Sequence, residues 1–179
     1  MAGEADFDGW YRDQYSRVVA LLYVVTGDVP AAEAAAAETF VRAFERWERV
    51  RTMESGRWLY STALACAGRE DRWRRLPWRS RPDADAPPAA PPAIFAPEVW
   101  DAVRRLTREE RTVVALRYVL DLPEAEVGLV MGLPRGAASS LLAVARRNVA
   151  VLATPPAPEE PVDHPDELPE PPRPQNLPL

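Results

Sequence analysis

Apolar residues return every three or four positions along most of this chain, and short polar or glycine-containing breaks separate the stretches where they do. Over Asp6–Thr26 the spacing places Phe7, Trp10, Tyr11, Tyr15, Val18, Val19 and Leu22 on one side of a helix, which Gly27-Asp28 ends. A second helix is predicted over Pro30–Trp47, with Ala36, Phe40, Ala43, Phe44 and Trp47 as its buried stripe. A polar loop, Glu48–Gly56, leads to a third over Arg57–Arg75, burying Trp58, Leu59, Thr62, Ala63 and Cys66. Three helices with this many aromatics can close a small core.

The pattern resumes further on. Pro97–Arg105 and Arg108–Leu120 read as helices, the latter with Val113, Leu116, Val119 and Leu120 inward. Leu122–Met131 is a short helix offering Ala125, Val127, Val130 and Met131 to a core. Gly132-Leu133-Pro134 breaks it, Gly132 suiting a left-handed helix end and Pro134 the first turn of the next helix. Arg135–Leu152 then carries Ala138, Leu142, Ala145, Val149 and Leu152 on one stripe. Two helices joined by a short glycine-containing turn form the unit that places its second helix in the DNA major groove.

Composition divides the chain where the periodicity does. Residues 77–97 hold seven prolines and 153–179 hold ten. Each proline lacks an N–H and restrains its neighbour, so neither stretch suits a helix or a central strand. The expected organisation is a helical domain over 1–76, a Pro-rich semi-rigid linker over 77–97, a helix-turn-helix domain over 98–152 and a disordered acidic tail over 153–179. No alternating strand pattern occurs, so the predicted fold is all-α, with two small helical domains.

Charge changes the functional picture more than the fold. The segments carry −1, 0, +1 and −5 in chain order, so the net −5 belongs to the tail. Neither helical domain has the broad basic field of a strong autonomous DNA binder. The 22 basic residues are all arginine, and the lone Cys66 excludes an intramolecular disulfide, which fits a reducing compartment. The N-terminus is acidic where a secretion signal needs a basic start, and the longest apolar run, Val18–Val25, is too short to span a bilayer. A cytoplasmic location is expected.

The one basic cluster is Arg69, Arg72, Arg74, Arg75, Arg79 and Arg81, interleaved with Trp73 and Trp78. It reads either as contact with DNA phosphates, with a Trp for base stacking, or as a solvated helix end where arginine suits the dipole. Arg135, Arg146 and Arg147 are candidates for phosphate contact, and Ser139 and Ser140 for donation to phosphates or bases. Glu33, Glu38 and Arg42 share a helix, with Glu38 and Arg42 spaced as an intrahelical pair. The only histidine, His164, lies in the tail, and no glycine-rich phosphate loop, carboxylate cluster or triad sits on the helical scaffold. Nothing here implies an enzyme, a metal or a cofactor.

The ordered combination of these pieces resembles the extracytoplasmic-function (group IV) sigma factors of bacterial RNA polymerase. The resemblance is carried by Phe7-x-x-Trp10-Tyr11, Thr26-Gly27-Asp28, Ala32-Glu33, Glu38 through Phe44, Trp47 and Trp58-Leu59-Tyr60. Beyond the linker it continues with Leu106-x-x-Glu109-x-Arg111-x-Val113-x-x-Leu116-Arg117-Tyr118, Glu126-Val127, Gly132, Pro134-x-Gly136, Ser140 and Ala145-Arg146. It implies a region 2-like and a region 4-like domain, a partner in core RNA polymerase through its beta-prime clamp, and promoter DNA. On that footing Glu33, Glu38, Phe40 and Arg42 would meet the polymerase. Arg69, Arg72, Arg74, Arg75, Arg135, Ser139, Ser140, Arg146 and Arg147 would meet DNA. Met53, Glu54 and Ser55, in the loop Val50–Gly56, would lie where the family captures a flipped promoter base. An anti-sigma factor is the regulatory partner it implies.

Departures from the family pattern cluster on contact faces. Ala34 and Ala37 stand where the family has Asp and Gln. Leu64-Ala65 replaces an Arg-Asn pair, and Ala137-Ala138-Ser139-Ser140-Leu141 replaces Thr-Val-Lys-Ser-Arg. The competing expectation is therefore a degenerate sigma-like protein that binds an anti-sigma or regulatory partner without directing initiation. A stand-alone helix-turn-helix repressor is disfavoured by the weakly charged second helix.

Overall fold

The computed structural model describes residues 2–74, 92 and 94–154, with side chains from Asp6 onward and, near the end of the fourth helix, as far as Arg69. All regular structure among these residues is helical. The expectations for the linker and the tail lie outside the described residues except at their ends, where Pro97 already opens a helix and Ala153 closes one.

Helix α1 spans Ala2–Thr26. The Thr26 hydroxyl donates to Leu22 O at 2.8 Å, and Gly27 turns the chain at φ +71°. Asp28 caps α2 (Val29–Glu45), its Oδ1 accepting from Ala31 N at 2.6 Å. The helix does not run on through Trp47, because Arg46 leaves helical geometry at φ −124° before the single turn α3 (Trp47–Val50). That break sends Trp47 into the aromatic cluster, 5.2 Å from Phe7 and 5.1 Å from Trp10 between ring centroids. Phe44, expected on the buried stripe, is 54% exposed and sits edge-on to Phe7 at 5.1 Å. Helix α4 (Ser55–Arg74) crosses behind, buries Leu59, Ala63 and Cys66, and donates from the Tyr60 hydroxyl to Gln14 Oε1 at 3.3 Å.

The second half comprises α5 (Pro97–Arg104), α6 (Arg108–Val114), α7 (Glu124–Met131) and α8 (Ala137–Ala153). Thr107 and Glu110 form a capping box at the start of α6. The predicted continuous helix to Leu120 widens instead into a π-turn over Ala115–Val119, with Leu120 N donating to Ala115 O at 3.2 Å. The wider turn leaves Ala115 and Leu116 fully buried while Tyr118 faces out. In α7, Val127 and Val130 are buried as expected, but Ala125 is exposed and Gly128 takes an inward place.

The two halves share a core. One apolar cluster runs from Val18, Leu21, Leu22, Val24 and Val25 of α1 to Trp100, Val113, Leu116, Leu142 and Ala145. The end of α1 is buried all round, as a helix apolar on every side must be. Its first face meets α2. Its second face, the Arg17–Leu21–Val24 stripe, meets α6 and the π-turn, since Arg17 Nη2 donates to Leu120 O at 3.2 Å. Arg111 Nε donates to Val25 O at 3.1 Å, and its Nη1 reaches Arg104 O and Leu106 O, both at 3.0 Å. One guanidinium thereby satisfies carbonyls at the ends of α1 and α5.

Candidate nucleic-acid interface

The turn between α7 and α8 is built by three residues. Gly132 takes the left-handed end of α7 at φ +66°, and Leu133 N returns to Gly128 O at 2.9 Å, closing the helix. Gly136 takes φ +81° and serves as N-cap of α8, so the helix starts at Ala137 rather than at Arg135. Pro134 belongs to the turn, its carbonyl accepting from Ala137 N at 3.0 Å.

That geometry fixes the phase of α8. Ala138, Leu142 and Ala145 are buried, with Val149 and Leu152 partly so. Ser139, Ser140, Ala143, Arg146 and Arg147 face solvent on the opposite side, and Arg135 is exposed in the turn. Leu141 lies at the core's edge, half-buried. The exposed polar groups are not idle. Ser139 Oγ donates to Glu124 Oε2 across the turn, and Ser140 Oγ donates to Gly136 O at 3.3 Å. Arg146 Nε donates to the Tyr118 hydroxyl at 2.5 Å, and its guanidinium lies 5.7 Å from the Tyr118 ring centre. The hydrogen bond and the ring contact together fix the Arg146 guanidinium against Tyr118.

The back of α8 is held by a polar contact as well as by packing. Asn148 Nδ2 donates to Glu110 Oε1 at 2.5 Å, while Glu110 Oε2 accepts from Thr107 N at 2.8 Å. Burial acts to raise the Glu110 carboxyl, but the hydrogen bonds from Thr107 and Asn148 outweigh it and hold the group below its ordinary value. It is therefore an ionised anchor that ties the start of α6 to the last turns of α8.

The candidate residues of the first half converge on Glu38. Its Oε1 accepts from Arg42 at 3.0 Å and from Arg69 at 2.5 Å, joining α2 to α4. Arg42 Nη1 also reaches Cys66 Sγ at 3.4 Å. Burial pushes the Cys66 thiol up, and the residue is a core group. Glu33 is exposed on α2, whereas Phe40 is 4% exposed, with its ring among Trp10, Tyr11 and Tyr15. Phe40 thus supports the α2 surface from beneath, with little of its ring left open. Arg72 and Arg74 fall on α4 beyond the described side chains, and Arg75 lies outside the described residues.

The loop after α3 borders two clefts. Met53 lines one of about 380 Å³ with Arg46, Arg49, Val50 and Trp58. Glu54 and Ser55 instead line a cleft of about 530 Å³ between α1, α4 and α7, beside Arg17, Arg57 and Glu126. Met53, Glu54 and Ser55, read from the sequence as lining residues beside this loop, thus divide between the two clefts, and Arg46 and Arg49 share the first with Met53.

Comparison with known proteins places this geometry in a family. The sequence model of sigma-70, region 4, matches residues 97–149, the segment from the first residue of α5 to within four residues of the end of α8. The chain is also 32% identical over 163 residues to the ECF RNA polymerase sigma factor BldN of Streptomyces coelicolor. The match takes in 84% of this chain and 62% of that protein's length.

Proposed function

The chain belongs to the extracytoplasmic-function sigma factor family, and from that premise we propose that it acts in the cytoplasm as a non-enzymatic initiation subunit, binding core RNA polymerase and promoter DNA. The observation that carries this reading is the orientation of α8. Its apolar stripe is consumed by the core, and the opposite face presents Ser139, Ser140, Arg146 and Arg147 beside a turn set by Gly132 and Gly136. In this reading the α8 face addresses the duplex, with the arginines on phosphates and the serines near base edges. Arg69 and the arginines that follow it on α4 address promoter DNA from the first half.

The α2 surface bearing Glu33, Glu38 and Arg42 is the side we assign to the beta-prime clamp, and an anti-sigma protein is the partner class that would hold the chain inactive. With alanine at 34 and 37 the α2 face has fewer polar handles than the family pattern, so affinity for core is expected to be modest. No described helix is long and apolar enough to cross a membrane.

Run-off transcription tests the proposal. Core polymerase plus this chain is expected to give discrete transcripts from fragments of its own genome that core alone does not give. Absence of any transcript, together with failure to co-purify with core at low salt, would remove the sigma reading.

A further inference from the structure

An open apolar groove of about 480 Å³ lies between α1 and α2, lined by Phe7, Tyr11, Phe40, Val41 and Phe44, with Glu45 as its one charged lining residue. Two of its walls are large side chains left out in the open, Val41 at 58% and Phe44 at 54% exposure. Aromatic-walled grooves of this kind receive polyproline II segments, which enter with little conformational entropy left to lose. The chain supplies such a segment itself.

Leu168-Pro169-Glu170-Pro171-Pro172-Arg173-Pro174 lies in the acidic C-terminal stretch. Bound as a polyproline II helix, with three residues per turn, the segment would carry Leu168, Pro171 and Pro174 on one edge, Pro169 and Pro172 on a second, and Glu170 and Arg173 on the third. Two apolar edges can enter the groove while the charged edge runs along its rim. The groove's lining at the end of α2 includes Glu45, opposite in charge to Arg173. The proline run of the linker, 86–92, has no charged residue to make that match.

Reach is sufficient. The 13 residues between Thr154 and Leu168 can span about 40 Å at about 3.1 Å per residue, comparable to a folded body on the order of 40 Å across. We propose that the segment 168–174 docks intramolecularly in the α1–α2 groove and competes there with whatever binds the α2 face. A tether of this kind gives an effective concentration on the order of 1 mM, so a contact as weak as about 0.1 mM in trans would be occupied about ten to one in cis. The competition with core polymerase rests on the function proposed above; the docking does not.

Photo-crosslinking in the full-length chain tests the docking, with p-benzoylphenylalanine in place of Val41 and the adduct mapped by mass spectrometry. The expected product is a monomer joined within 168–174, at a yield independent of protein concentration. Its yield should fall several-fold when Pro169→Ala, Pro172→Ala and Arg173→Glu are combined, a variant that leaves every described residue untouched. A crosslink to the 77–97 linker, a crosslink between two copies, or no crosslink would each overturn the proposal. In a second arm the triple variant, with its segment released, should bind core polymerase about tenfold more tightly than the unmodified chain. Equal affinity would overturn the competition. Failure of both forms to bind core would strike the polymerase reading and leave the docking to the crosslink.

Discussion

The shared core makes a sharp demand on stability. Leu21 is fully buried on the face of α1 that carries Arg17 and meets the second half of the chain. Truncating a buried leucine costs the transfer of its methyls from water plus the cavity left behind, about 2.7–5 kcal/mol. With roughly 130 ordered residues the unfolding entropy is about 0.28 kcal/mol per kelvin, so Leu21→Ala should lower the thermal midpoint by roughly 10–18 °C. The informative quantity is not the size of the drop but where it is felt.

If the halves were separate bodies on a tether, a change in α1 would melt the first half early and leave the second where it was. If they form one cooperative unit, both fall together. Labelling with 5-fluorotryptophan gives a reporter in each. Trp47 sits in the cluster with Phe7, Ala43 and Val50, and Trp100 lies in the second half with its ring 5.2 Å from that of Tyr23 across the junction. The fluorine signals of Trp47 and Trp100 are expected to share one midpoint before the substitution and one lower midpoint after it. A Trp100 transition that stays put while that of Trp47 moves would refute the common core.

Other outcomes are equally specific. Glu110→Gln should flatten the acid limb of stability. The carboxyl is held below its ordinary 4.5, so its contribution is complete above that value and is lost as pH falls through the depressed value, which urea titrations between pH 3 and 6 would reveal. Phe40→Ala should cost about 3–5 kcal/mol in chemical denaturation, while Phe44→Ser, at an open position, should stay near neutral, reversing the equal weight that sequence periodicity gave them. Ser139→Lys adds a cation at an exposed site and should steepen the salt dependence of DNA binding by about one unit in a filter or anisotropy assay; an unchanged slope would turn α8 away from DNA. Leu141→Arg, at the core's edge, should cost more stability than Ser139→Lys in the same melts.

Helix identity was legible because burial here follows one period. The stripe of α8 and the left-handed Gly132 can both be read from residue spacing and from the one residue type that adopts positive φ without strain. What spacing cannot convey is the second partner of a helix. Val18–Val25 is apolar almost without interruption, and an uninterrupted run has no phase. Measured against a bilayer it is merely short; measured against a helix it means that both faces are covered. The covering surface lies about ninety residues away in α6 and the π-turn, and its clamps, Arg17 on Leu120 O and Arg111 on Val25 O, end on carbonyls that carry no sequence signature.

The candidate contact residues show the same divide. Glu38 and Arg42 are four apart on one helix and pair as their spacing suggests, but the Arg69 that completes the trio is 31 residues from Glu38. A single carboxylate shared by two guanidiniums leaves one positive charge in excess at the α2–α4 junction. Arg69 is therefore partly neutralised before any nucleic acid arrives, and at 45% side-chain exposure the bridge is a screened surface pair, worth at most about 1 kcal/mol. The phosphate contact proposed for Arg69 would have to compete with that bond. Glu38→Gln, which weakens it, should then strengthen DNA binding by the first half even as it weakens any contact that depends on the α2 charge. Opposite signs for one substitution in a DNA-binding and a polymerase-binding assay would tie the two surfaces together through this carboxylate, and equal signs would separate them.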